Sequence, residues 1–217
     1  MEEIKQKHIG GRVVILCLGL AVMAFGVAFS IRAELGTSPI SSVPYVTSTI
    51  SGLSVGVTTI IMNCLFVLIQ MLILRRNYQW FQLLQIPAAV LFGTMIDAGT
   101  AVLGDLSPSG YVQQWLLCAA GIILIGLGVS MEVMAGLITT AGEGIVLAIC
   151  QVAPVKFGNM KVAFDVTLVC LAVLLGFLFL GRLDGIREGT VAAAICVGLV
   201  TKVFRHPMEW LEKKFLN

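Results

Sequence analysis

The sequence predicts an all-α membrane protein: six transmembrane helices plus two re-entrant half-helices in a 3+3 inverted repeat. Three observations carry that expectation. Hydrophobic residues make up 58% of the chain and charged ones only 12%, with a mean hydropathy of +0.99. An ordinary soluble domain carries about twice that charge. Several apolar stretches exceed the ~18–20 residues needed to cross ~30 Å of hydrocarbon. Finally, residues 12–103 and 113–204 repeat one another about 102 positions apart. Gly19, Gly26, Val27, Ala33, Leu35 and Thr37 fall on Gly121, Gly128, Val129, Ala135, Leu137 and Thr139; further on, Gly56 falls on Gly158 and Asn63 on Asp165.

The opening Met-Glu-Glu-Ile-Lys-Gln-Lys is mixed in charge, and the apolar run behind it continues to about Ile31. That is too long for the core of a cleavable leader, so none is expected. With tails of about a dozen residues each, residues 1–217 read as one membrane domain. Residues 13–31 form the first span, preceded by Lys5, Lys7 and Arg12 and ended by Arg32 and Glu34. Residues 38–52 follow at once, rich in hydroxyls and containing Pro39 and Pro44. As a helix this segment reaches only ~22 Å, and its composition suits protein-lined surface better than lipid. It reads as a half-helix that enters and leaves by one side.

Residues 55–74 span fully and stop at Arg75, Arg76 and Asn77, with Trp80 as an interfacial anchor. A third span runs from about Leu83 to Leu103 and contains Pro87 and Asp97, before a linker from Asp105 to Ser109, with Gly110 close by. The second half follows the same plan. Residues 113–135 span, carrying Glu132; residues 138–153 form the second interrupted segment, with Glu143 inside and Pro154 closing it. Lys156 and Lys161 flank the next span, which ends at Arg182, and residues 188–204 form the last.

Loop charge discriminates between topologies. If both short segments are re-entrant, eleven of the fourteen basic residues lie on one side, and only Arg32, Arg182 and Arg187 on the other. If both short segments cross fully, Arg75 and Arg76 change sides and the ratio falls to nine against five. Enrichment of Lys and Arg on the cytoplasmic side therefore favours the re-entrant scheme, with both termini cytoplasmic.

Candidate site residues cluster at the two interruptions. Thr37, Ser38 and Ser41 lie at the start of the first, and Thr139, Thr140 and Glu143 at the start of the second. A half-helix beginning inside the membrane presents free N–H groups and about half a positive charge, and hydroxyls there either cap the helix or bind a solute. Four acids lie in or beside apolar segments: Asp97, Glu132, Glu143 and Asp165. A carboxylate in hydrocarbon costs at least ~2.5 kcal/mol and therefore faces a cavity, a partner or a proton path. Each has a plainer reading as well. Glu143 could satisfy its own helix N-terminus, Asp165 could pair with Lys161 one turn before it, and Asp97 and Glu132 could mark the membrane boundary. Asn63, the duplicate of Asp165, is a cavity residue or an interhelical hydrogen bond.

The glycines and alanines at 19, 24, 28, 121, 126 and 128 predict close helix approach near the symmetry axis. Six scattered cysteines without paired spacing behave as small hydrophobes. The only histidines, His8 and His206, lie in the tails, so no metal cluster or serine–histidine pair can form within the membrane, and an enzyme is not expected. No phosphate-binding motif is present, and no cofactor is implied.

The run Glu34-Leu35-Gly36-Thr37-Ser38-Pro39-Ile40-Ser41-Ser42-Val43-Pro44, set after a glycine-rich first helix, resembles the bacterial YczE/YyaS/YitT group of integral membrane proteins. The resemblance extends in size and layout over nearly the whole chain. It implies a location in the bacterial cytoplasmic (inner) membrane and a transporter-like role, and no particular substrate.

A duplicated membrane unit broken at matched places is the pattern of a solute transporter with its site at the repeat interface. The expected function is secondary transport of a small polar solute, anionic or zwitterionic. The expected site is Thr37, Ser38, Ser41, Asn63, Thr139, Thr140, Glu143 and Asp165, with Glu143, or alternatively Asp165, coupling transport to protons. The alternative is the solute-binding membrane subunit of an ATP-driven uptake system. The expected partners are a small-molecule solute, the lipid bilayer and, in a homodimer, a second copy of the chain; no nucleic acid is expected, since the basic residues flank the membrane and the net charge of +2 does not point to one.

Overall fold

The computed structural model describes residues 9–104 and 106–215. Lys5, Lys7, His8 and Asp105 lie outside the described residues, as do the side chains of Lys213 and Lys214. The described chain is all-α. In order the helices are α1 (Ile9–Arg32), α2 (Pro39–Ser51), α3 (Val55–Leu74), α4 (Gln85–Val102), α5 (Tyr111–Ala135), α6 (Ala141–Val152), α7 (Phe157–Leu175) and α8 (Glu188–Phe215). Six stretches are long and apolar enough to cross a bilayer. They contain α1, α3, α4, α5, α7 and α8, whereas α2 has 13 residues and α6 has 12, too few to span.

Local chemistry sets the element ends. Pro39 opens α2 at the position where its missing N–H costs nothing. Ser54 caps α3 by accepting from the Val57 amide. Two boundaries differ from expectation. The third span begins with a tight turn over Trp80–Leu84, and the α-helix itself starts at Gln85. The last helix continues beyond residue 204 through Pro207, because Arg205 pairs with Glu209 one turn on and Glu212 is held at 3.2 Å by Arg12.

The most deeply buried apolar helices, α1 and α5, form the central antiparallel pair. Gly19 lies against Gly128 and Gly26 against Gly121; a Cβ at Gly26 would sit 2.8 Å from the Gly121 carbonyl oxygen. Backbones this close gain dispersion contacts that larger side chains would forbid, the main source of helix association in lipid. Ala24 and Ala28 are fully buried beside this contact. Gly126 does not share it; it faces α8, against Val200 and Thr201.

Around this pair, α1 packs on α4 and α5 on α8, α3 packs on α6 and α2 on α7, and α2 and α6 each touch the helix that follows. Exchanging the two halves maps each of these contacts onto another. The exception is that α3 and α4 pack closely, while α7 and α8 barely meet. Asp97 accounts for the first closure. Its carboxylate accepts from Ser54 Oγ at 2.6 Å and from the Gly56 amide at 2.8 Å, fastening α4 to the start of α3. Asp97 thus caps a helix rather than merely marking a membrane boundary. Gly158, the duplicate of Gly56, faces open space.

Contacts between helix ends define the two ends of the bundle. At one, Arg12 is buried; its guanidinium donates to the carbonyls of Met134 and Ala135 at the end of α5 and pairs with Glu212. Positive charge there satisfies the free carbonyls of a helix C-terminus. At the opposite end, the segment between α1 and α2 is strapped to the start of α8. The Thr37 amide donates to Gly185 O at 2.9 Å, the Gly189 amide to Leu35 O at 2.8 Å, and Arg187 Nη1 to Glu34 O at 3.0 Å. Gly36 adopts φ +93° within this strap, with the Arg187 amide so close that a side chain would not fit.

Candidate functional site

Both half-helices begin at the wall of one cavity of about 450 Å³, to which all eight helices contribute. That volume lies within the ~300–1,000 Å³ usual for small-molecule sites. α2 presents Ser38 and Ser41, α3 Thr59 and Asn63, α6 Thr140 and Glu143, and α7 Lys161 and Asp165. Apolar side chains complete the wall, notably Met23 from α1, Phe92 from α4 and Ile125 and Val129 from α5.

Six of the expected site residues therefore share one space: Ser38, Ser41, Asn63, Thr140, Glu143 and Asp165. Thr37 and Thr139 do not line it. Thr37 belongs to the strap, where its amide and hydroxyl both face Gly185 O. Thr139 precedes the N-cap by one residue, outside the lining.

The hydroxyls at the helix starts are not caps. Neither Ser38 nor Thr140 makes a side-chain cap bond, and Ser38 Oγ lies 3.1 Å from Ser41 Oγ. The start of α6 is held instead by Glu132, a buried carboxylate that accepts from the Thr140 amide at 2.5 Å. Glu132 is therefore a structural acid at a helix N-terminus, where the dipole favours negative charge, and not a boundary marker. Its presence leaves Glu143, in the first turn of α6, without that task. Among the described residues, the Glu143 side chain has no hydrogen bond or ion pair. Asp165 pairs with Lys161 Nζ at 2.6 Å, one helical turn apart, and the pair still faces the cavity. Asn63 donates back to Thr59 O at 2.9 Å, which leaves its amide oxygen available.

A buried amide pair was not foreseen from the sequence. Gln70 on α3 and Gln85 at the start of α4 are both nearly inaccessible, and Gln70 Nε2 donates to Gln85 Oε1 and to Ala141 O at 3.1 Å each. This joins α3, α4 and the first residue of α6 at the cavity wall, which Gln85 itself lines. Gly144 presses on both amides, since a Cβ there would lie 2.7 Å from Gln70 Oε1. The available signal was weak, because one polar residue inside each apolar span reads equally well as an interfacial side chain.

None of residues 33–37 or 185–190 of the strap lines the cavity, whereas its lining includes residues at the gap between α7 and α8. Val162 and Lys202, at its rim, are exposed, as is Gly198. No hydrogen bond among the described residues joins 135–140 to 83–87, the duplicate of the strap.

Comparison with known proteins places this architecture. A family model described as a family of unknown function (DUF6198) matches residues 10–206. The chain belongs to that family. Within reach of this DUF6198 chain are two proteins of Bacillus subtilis (strain 168). It is 30% identical over 185 residues to the uncharacterized membrane protein YczE, covering 85% of this chain and 80% of the relative. It is 25% identical over 202 residues to the uncharacterized protein YyaS, covering 92% and 94% respectively. No solved structure gives a significant match. The chain is thus a multi-pass membrane protein, similar in extent to relatives whose names record no substrate.

Proposed function

We propose that this protein is a secondary transporter of a small polar solute, built as an inverted repeat with re-entrant half-helices α2 and α6. The observation that carries this reading is the single cavity onto which both half-helix N-termini open, with an unpaired acid, Glu143, in its wall. Helix starts inside the membrane are the means by which carriers bind polar groups where water is scarce. The packing supports the repeat: the Gly19–Gly128 contact becomes the Gly121–Gly26 contact when the halves exchange.

Orientation follows from charge. Arg12, Arg75, Arg76, Lys156, Lys202 and Arg205 lie toward the end where α1 begins and α8 finishes, and Arg32, Arg182 and Arg187 toward the other. The first end is cytoplasmic on this reading, which puts both termini inside a bacterial inner membrane. The strap at 33–38 is then the closed outer gate, and the gap between α7 and α8 is an inward opening. The conformation is one half of an alternating cycle in which α7–α8 close as α3–α4 part.

The alternative, a solute-binding subunit of an ATP-driven system, does not need two halves that exchange contacts. The two readings separate in liposomes. Purified protein reconstituted without ATP or other subunits should accumulate or exchange a solute from a panel of labelled amino acids and small carboxylates. Binding of such solutes without any flux would favour the subunit reading.

A further inference from the structure

Resting on the transport reading, the cavity also discriminates among classes of solute. Five charged side chains stand in or beside it: Glu132, Glu143, Lys161, Asp165 and Lys202. Four have an evident role. Glu132 is engaged by the N-terminus of α6, and Asp165 and Lys161 neutralise each other at 2.6 Å. Lys202 is exposed at the rim, where solvent and lipid headgroups are accessible. Glu143, half-buried, makes no hydrogen bond or ion pair; Lys161 acts on it only from within its pair with Asp165, so the inner chamber holds two carboxylates, Glu143 and Asp165, against the one cation Lys161. A buried carboxylate without a counter-charge is unfavourable in a low-dielectric site; a single ammonium group would complete it.

The other end of a solute meets different chemistry. Ser38 and Ser41 bring two hydroxyls to the N-terminus of α2, where neither serves as a side-chain cap for that helix. Pro39 brings no N–H to this start and the Ser41 amide is held by Ser38 O, so the wall would receive a carboxylate through its hydroxyls and the partial positive charge of the helix start. Met23, Phe92, Ile125 and Val129 line the same cavity and offer contact area for an aliphatic side chain.

We infer that the solute is a small amino-acid-like zwitterion, with its ammonium bound by Glu143 and its carboxylate at the Ser38–Ser41 wall. The same carboxylate disfavours a plain anion.

The test is equilibrium binding to the full-length protein in nanodiscs. The probes are aliphatic α-amino acids and, for each, the acid lacking the amino group and the amine lacking the carboxyl group. The zwitterion should bind tightest, the amine more weakly, and the acid at least tenfold more weakly than the amine. Glu143→Gln should weaken the zwitterion and the amine about tenfold while leaving the acid unaffected or improved, and Glu143→Asp should restore part of the loss. Should Glu143→Gln unfold, the three-probe ranking on the natural protein decides. Equal binding of acid and amine, no binding by any probe, or an unchanged affinity in a folded Glu143→Gln each overturns the inference. ATP-free uptake of the acid would leave transport standing while sinking the zwitterion. Tight zwitterion binding without flux would do the reverse.

Discussion

Glu132 Oε1 accepts a hydrogen bond from the Thr140 amide at 2.5 Å, so a buried carboxylate near the end of α5 holds the beginning of α6. This contact fixes where the second half-helix starts, and hence where Glu143 stands. Glu132→Ala leaves a buried amide without an acceptor, a loss of about 1–3 kcal/mol. Glu132→Gln keeps a side-chain acceptor of the same length for that amide, so its loss is smaller than that of Ala. Thermal unfolding in nanodiscs should therefore rank natural protein above Gln and Gln above Ala. Equal melting of all three would show that the contact does not hold α6.

The α1–α5 crossing should be intolerant of volume. Gly26→Leu places a side chain where a Cβ alone would already lie 2.8 Å from Gly121 O and Ile125. Overpacking of this kind costs about 1–3 kcal/mol or more. Gly10→Leu, on the same helix with nothing within 4 Å of a Cβ, should leave the melting temperature close to that of the natural protein. Similar melting of the two variants would contradict the crossing.

Topology is tested by cysteine labelling. In a background lacking all six native cysteines, Gly110→Cys and Asn77→Cys are both exposed and lie at opposite ends of the bundle. A membrane-impermeant thiol reagent added to intact cells should modify Gly110→Cys and spare Asn77→Cys. The opposite pattern would reverse the orientation argued from charge.

Proton coupling at Glu143 gives a distinct kinetic signature. The first turn of a half-helix favours a carboxylate, whereas burial favours the neutral acid, and a bound ammonium would alter that balance. Glu143→Gln keeps the shape and a hydrogen-bond acceptor but cannot exchange a proton. In liposomes it should still exchange solute at saturating concentration, while accumulation driven by a pH gradient disappears. Retained gradient-driven accumulation would remove Glu143 from the role and leave Asp165, held by Lys161, as the acid to test.

Much of the fold was legible in the sequence because the relevant physics is local. Whether a segment enters the bilayer depends on its own transfer free energy, so apolar length alone identified the six candidate spans. Two hydroxyl-rich or acid-bearing interruptions were likewise visible as segments too short to cross, and the 102-residue offset paired them. For that reason Ser38, Ser41, Asn63, Thr140, Glu143 and Asp165 could be singled out before any contact was known. Their meeting at one cavity, and the departure of Thr37 to Gly185, depend on how each helix is rotated about its axis. Rotation is set by packing partners far away in the chain. Arg12 reads as a membrane-flanking charge until the fold brings it to Glu212, 200 residues away. Gln70 and Gln85 become a buried pair only once α3 and α4 meet α6. The parting of α7 from α8, against the closure of α3 on α4, was beyond the reach of sequence for the same reason. Nearly equivalent halves carry the same local preferences, and only tertiary packing decides which of them is closed.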